Sequence, residues 1–190
     1  MAEQRFSGKV ALVMGGASGI GRACVQLFAK GGASVVVSDV ALEGGQETMR
    51  LIEEDGGEAS FVEADVSKAA QVEALVGRAL KAYGHLDFAF NNAGIEGRMA
   101  TNTADYPEED WDRVIGVNLK GVWLCMKHEI PQMLRQGGAR SSTTPLLRGW
   151  WAYKALRRTR RASTASWGSQ RPQHWSMPNQ ASESTPCARA

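Results

Sequence analysis

Two features of this sequence could do chemistry on a bound anion. One is the glycine-rich run Met14-Gly15-Gly16-Ala17-Ser18-Gly19-Ile20-Gly21, and the other is Asp39, 18 residues beyond it. Such a run holds a pyrophosphate when it lies on a strand-to-helix turn. There, unpaired backbone N–H groups and the positive end of the helix dipole face the anion. The missing Cβ atoms let a phosphate reach the backbone. The flanks supply that context. Lys9-Val10-Ala11-Leu12-Val13 is a short apolar run of buried-strand character. Arg22 to Lys30 is apolar at helical spacing and is closed by Gly31-Gly32.

Asp39 ends a second apolar run, Ser34-Val35-Val36-Val37-Ser38. A carboxylate there accepts hydrogen bonds from the adenosine ribose hydroxyls and repels a 2′-phosphate. Neither Ser18 nor Val40 is a base that would attract that phosphate. Alone, Asp39 could equally be a solvated acid at a strand end; beside the glycine turn it reads as the selector of NAD over NADP.

These residues need a scaffold, and the pattern of the chain provides one. Residues 42–55 read as a helix closed by Gly56-Gly57, and Ala59-Ser60-Phe61-Val62 reads as a third strand running into Asp65-Val66. Residues 68–83 form a helical pattern with Val72, Leu75, Val76, Ala79 and Leu80 on one face. Leu86-Asp87-Phe88-Ala89-Phe90 is a fourth strand leading to Asn91-Asn92-Ala93-Gly94, and a helix starting near Pro107 or Trp111 continues through Met133. Strands alternating with helices predict an α/β fold, a Rossmann-like doubly wound parallel sheet in spatial order 3-2-1-4. Ligands of such sheets sit beyond the carboxyl ends of the strands, where strand order reverses.

The totals narrow the class. A length of 190 residues suits one domain with a real core. No apolar run is long enough to span a membrane, and the N-terminus lacks the apolar core of a secretion signal. Cys24, Cys125 and Cys187 have no metal-ligand spacing, so no metal is expected, and scattered thiols fit a reducing cytoplasm. The net charge of +2 hides a split. Residues 139–190 carry nine Lys/Arg against one acid, Glu183, whereas residues 1–138 carry 13 bases and 19 acids.

Taken together, Gly15-x-x-x-Gly19-Ile20-Gly21, Asp39, Asp65-Val66, Asn91-Asn92-Ala93-Gly94 and Asn118 resemble the short-chain dehydrogenase/reductase family over residues 6–138. The resemblance implies an NAD-dependent oxidoreductase that moves a hydride between nicotinamide and an alcohol or ketone. It implies that Asp65 and Val66 contact the adenine and that Asn92, Ala93 and Gly94 line the cofactor cleft. Asn118 corresponds to the Asn of the family's catalytic tetrad, which kinks its helix and holds a proton-relay water. Met14 stands where the family usually has a Thr that ties the turn to the fourth strand.

Beyond Gly138 the resemblance ends. The family needs Asn-x-Ser-Ser on a fifth strand and then Tyr-x-x-x-Lys, whose tyrosine exchanges the proton with its pKa lowered by nearby positive charge. Here Tyr153-Lys154-Ala155-Leu156-Arg157 offers only Tyr-x-x-x-Arg, and Ser141-Ser142 follows an arginine. The domain reading is therefore an NAD-binding unit over 1–138, its sheet truncated after about four strands, and an irregular or disordered basic tail over 139–190. The fourth strand would then be an apolar exposed edge prone to aggregation. The family's homotetramer is not expected, because the segments that build it are missing. A cofactor module whose basic tail, with Trp150, Trp151, Trp167 and Trp175, binds RNA or a membrane surface is the second class of function. Such a run is more often a solvated segment, and nucleic acid is not the expected partner.

The genetic code offers an explanation for the break. Read one base out of register, Arg158 to Thr164 can encode Y-x-A-S-K-H, and Arg140 to Leu146 can encode I-V-N-x-A-S. Trp167 to Arg189 can encode G-L-T-K-T-A-A-L-E-Y-A-K-S-G-I-R-V-N-A-V-C-P-G. These are the absent motifs in family order and spacing. The sequence thus implies a net one-base deletion near the codons for Gly137-Gly138, with the tail translated out of frame. Nucleotide sequencing across that junction is expected to show a G/C-rich run and these motifs in the alternative frame; a coding strand without them contradicts the deletion.

Overall fold

The structure, a computed structural model, describes residues 4–98 and 100–143. Tyr153, Lys154 and the tail tryptophans lie outside the described residues, and with them the readings made on residues 144–190. Among the described residues, five strands form one parallel sheet in the order β3-β2-β1-β4-β5. They are β1 (Val10–Met14), β2 (Ser34–Asp39), β3 (Glu58–Glu63), β4 (Phe88–Asn91) and β5 (Arg140–Thr143). Between them run α1 (Gly19–Lys30), α2 (Leu42–Glu54), α3 (Ala69–Tyr83), α4 (Glu108–Ile115) and α5 (Val122–Arg135). Among the described residues no helix is long and apolar enough to cross a membrane.

The central strands are apolar without a break because both of their faces are covered. Side chains alternate across the sheet. Ala11, Val13, Val35 and Val37 face Val25 and Ala29 of α1 and Ile52 of α2. Val10, Leu12, Met14 and Val36 face Val72, Leu75, Val76 and Ala79 of α3 and Leu124, Cys125 and Met133 of α5. β1 is buried throughout. Strand order reverses beside it, with β2 on one side and β4 on the other. The carboxyl ends of these strands bring Gly15, Asp39 and Asn92 to one edge of the sheet.

The long helix foreseen from Pro107 or Trp111 through Met133 exists in three parts. Gly116–Gly121 is a π-helical stretch between α4 and α5, and Asn118 lies in it. One extra residue per turn is typical of places where a side chain needs to be re-aimed.

The order 3-2-1-4 holds, but the sheet does not stop at β4. β5 pairs in parallel with it, placing Phe88 opposite Arg140 and Asn91 opposite Thr143. The anticipated bare edge on β4 is thus covered. A polar segment can do this because strand pairing uses the backbone. The turn before it helps: Gly137 and Gly138 both have positive φ, at 88° and 121°, a conformation that favours glycine. Gln136 grips β4's approach, accepting from Leu86 N at 3.2 Å and donating to Leu86 O at 2.5 Å. The difference from the other strands remains visible, since Arg140, Ser141 and Ser142 of β5 are exposed.

Glu129 of α5 is a fully buried acid in the core. Its Oε2 accepts from Asn91 Nδ2 at 3.1 Å and from Ser141 Oγ at 3.3 Å, joining α5, β4 and β5. Among the described residues, its Oε1 and the Oδ1 of Asn91 are buried without a partner. A proton on Oε1 would convert that oxygen from acceptor to donor, the form suited to a carbonyl such as Asn91 Oδ1. Burial raises the Glu129 carboxyl to about 7, against the opposing hydrogen bonds from Asn91 and Ser141. The same burial, with Glu129 nearby, pushes the Cys125 thiol up.

A raised carboxyl keeps its proton in the folded state where the unfolded chain, with a value of 4.5, has lost it. Stability therefore falls as pH rises from 4.5 towards 7 and levels off above, by on the order of 3 kcal/mol. Glu129→Gln is expected to remove most of this slope and to raise the melting temperature at pH 8 more than at pH 5. Thermal melts in matched buffers check this; parallel pH profiles for the two proteins contradict it.

Candidate functional site

The site is built on the turn from β1 into α1. Gly15 has φ +74°, and a Cβ there would lie 2.7 Å from Ala93 Cα. A Cβ on Gly21 would lie 1.8 Å from Gly15 O. These two glycines let α1 and the end of β4 crowd onto the turn, which a side chain would prevent. The N–H groups of Gly15 and Gly16 both donate to Ser38 O, at 2.7 and 3.1 Å, tying the turn to β2. Ser18, in extended conformation, precedes the helix, and Arg22 N donates to Ser18 O at 3.1 Å. Ser18, Gly19 and Ile20 are exposed, so the first turn of α1 is open to solvent. The first N–H groups of a helix have no partner within it and carry its positive end.

Asp39 stands at the end of β2. Its Oδ2 accepts from Ala17 N and its Oδ1 from Ala41 N, each at 3.0 Å. The carboxylate is thereby fixed beside the glycine turn, and each oxygen retains acceptor capacity. Past β3, Asp65 Oδ1 accepts from Ser67 N at 2.8 Å, and Asp65 N donates to Gln71 Oε1 at 2.7 Å. Val66 is buried against Gly121, where a Cβ would meet Val66 Cγ2 at 2.8 Å.

Asn92, Ala93 and Gly94 follow β4. Asn92 Nδ2 donates to Gly15 O at 3.1 Å and Asn92 N to Met14 O at 3.2 Å. The link between turn and fourth strand, for which Met14 has no polar side chain, is made from the opposite partner by Asn92. Met14 itself is buried in the core. Asn118 is buried, and both ends of its amide are used: Oδ1 accepts from Ile95 N and Nδ2 donates to Ile95 O, each at 2.9 Å. The π-helical stretch thereby holds the chain directly after Gly94. Further out, Arg98 and Arg113 both pair with Asp110, Arg113 at 3.1 Å, bracing this segment against α4.

The structure thus gathers Gly15, Ser18, Gly19, Ile20, Gly21, Asp39, Asn92, Ala93 and Gly94 around the carboxyl ends of β1, β2 and β4. Asp65 and Val66 flank that group after β3, and Asn118 joins it through Ile95. Sequence reasoning passed over three polar residues that hold it: Arg22, Thr48 and Glu129. Thr48 lies in an otherwise apolar register of α2, and its only sequence signal is a hydroxyl at a core position.

A model of the short chain dehydrogenase family matches residues 9–141. An uncharacterized oxidoreductase of Thermotoga maritima is 43% identical over 133 residues, covering 70% of this chain and 51% of that protein. Cyclohexanol dehydrogenase of an Acinetobacter species is 40% identical over 145 residues, covering 76% of this chain and 57% of that one. A short-chain dehydrogenase/reductase from Burkholderia phymatum, solved in complex with NAD, superposes with a TM-score of 0.70 at 36% identity. The superposition covers 73% of this chain and 49% of that one. The chain spans about half the length of the curated relatives it matches.

Proposed function

The chain belongs to the short-chain dehydrogenase family, and from that premise we propose that it carries the NAD-binding half of an alcohol/ketone oxidoreductase. The observation that supports this best is the coupling of the glycine turn to Asp39 through the Ala17 N–H at 3.0 Å. The turn suits a dinucleotide. Its glycines leave no Cβ over the open first turn of α1, and Asp39 stands at the end of the neighbouring strand. In this reading the N–H groups of Ser18 to Gly21 receive the pyrophosphate and Asp39 accepts from the ribose hydroxyls. Asp65 and Val66 border the adenine, and Asn92, Ala93 and Gly94 border the nicotinamide side. When bound, the nicotinamide supplies or accepts a hydride.

The residues of this chain orient and exclude. A 2′-phosphate would meet the Asp39 carboxylate, with no base at Ser18 or Val40 to offset the repulsion. Asn118 takes the position of the family's tetrad asparagine and keeps the segment after Gly94 in place. The proton-transfer residues are the missing part: after Gly138 the sequence contains no Tyr-x-x-x-Lys. We therefore propose that the chain as written binds NAD without turning over an alcohol, and that residues 139–190 are an out-of-frame tail. The name of the Acinetobacter relative supports a secondary alcohol as the substrate class of the enzyme that the alternative frame would encode.

Titration of the full chain with NADH and with NADPH, followed by nicotinamide fluorescence, tests the reading. NADH is expected to bind at least about tenfold more tightly than NADPH, with Asp39→Ala reducing that ratio to near one. Equal affinities in the unaltered chain contradict the assignment of Asp39, and binding of neither contradicts the dinucleotide site.

A further inference from the structure

Thr48 is fully buried in α2, yet its hydroxyl touches three groups outside its own side chain. Thr48 Oγ1 lies 3.0 Å from Gly16 O and 2.9 Å from Gly44 O, and it accepts from Arg22 Nε at 2.9 Å. A hydroxyl has one proton to give. Gly44 O already accepts from Arg22 Nη2 at 3.2 Å, and the same Nη2 donates to Ala17 O. Gly16 O is therefore the acceptor that needs the Thr48 proton.

The consequence lies in one peptide group. The unit between Gly16 and Ala17 carries the Gly16 carbonyl at one end and the Ala17 N–H at the other. Thr48 holds the first, and Asp39 Oδ2 holds the second at 3.0 Å. Rotation of this peptide would withdraw the N–H from Asp39 and turn a carbonyl oxygen towards a carboxylate. The next carbonyl, that of Ala17, is held by Arg22. The orientation of the turn's peptides is thus set by side chains of α2 and α1.

We propose that Thr48, seconded by Arg22, is a positioning residue for the dinucleotide site, setting both the glycine turn and the Asp39 carboxylate that discriminates at the ribose. This rests on the dinucleotide reading given above. Thr48 does not touch the cofactor; it acts through the Gly16–Ala17 peptide.

Thr48→Val keeps the volume but removes the proton that Gly16 O accepts and the lone pair that Arg22 Nε uses, and a buried group left without its partner is costly. In fluorescence titrations of the full chain, Thr48→Val is expected to weaken NADH binding about tenfold and to narrow the NADH-to-NADPH ratio. Thr48→Ser is expected to restore both. Amide exchange supplies a ligand-free readout: Ala17 N–H is expected to lose protection in Thr48→Val and to regain it in Thr48→Ser. Should Thr48→Val fail to fold, Thr48→Cys, with its weaker thiol donor, carries the same comparison with an intermediate loss expected. A variant that melts earlier but keeps the unaltered affinity, ratio and Ala17 protection overturns the positioning role and leaves Thr48 as packing alone. If the unaltered chain binds neither NADH nor NADPH, the dinucleotide reading fails, while Ala17 exchange still reports on the clamp.

Discussion

Among the described glycines, Gly21 leaves the least room for a side chain, because α1 packs onto the turn it leaves: a Cβ there would sit 1.8 Å from the Gly15 carbonyl oxygen. Much of the architecture follows from that contact. It brings the helix start to the end of β1, with the unpaired first N–H groups of α1 at the point where β2 and β4 diverge. It leaves Gly15 O within reach of Asn92, so that β4 is fastened to the same turn. It also leaves the turn's own peptides to be held from outside, by Ser38 and Asp39 on one side and by Thr48 and Arg22 on the other. A backbone packed this tightly has few alternative conformations, and an anion site made of backbone dipoles depends on that preorganisation.

The two ends of the sheet rest on different physics. β1 and β2 are held by apolar burial on both faces, and alternation along each strand divides their side chains between two cores. β5 is held by backbone pairing, by the Gln136 clamp on Leu86, and by the Glu129–Asn91–Ser141 cluster. Hydrogen bonds contribute about 1 kcal/mol each in net terms, whereas each large apolar side chain fully buried contributes roughly 1.5–3 kcal/mol. The β5 side is therefore the weaker, and it is also where the charge balance of the sequence changes.

Periodicity made the first four strands, the crossover helices and the sheet order legible, because a buried parallel strand leaves little choice of residue type. The glycine turn and Asp39 stand out in the sequence for a similar reason, since the turn admits no side chain at Gly15 or Gly21 and the acid falls at a strand end, whereas the Asn92 segment stands out only through the family resemblance. β5 was not legible, since Arg140-Ser141-Ser142-Thr143 pairs through backbone atoms that every residue has. Nor was the clamp from Thr48 and Arg22, because a threonine or arginine within a helix resembles its many surface counterparts until the fold shows what it touches. Glu129 was hidden likewise; its partners are 38 and 12 residues away.

The central claim is that the adenosine half of a dinucleotide site is built in this chain and that the nicotinamide half has little to hold. Isothermal titration of the full chain with ADP-ribose and, separately, with NADH tests it most directly. The account predicts that both bind and that their affinities agree within about threefold. An NADH affinity more than about tenfold above that of ADP-ribose would contradict it, because such a gain requires contacts to the nicotinamide that this account does not supply.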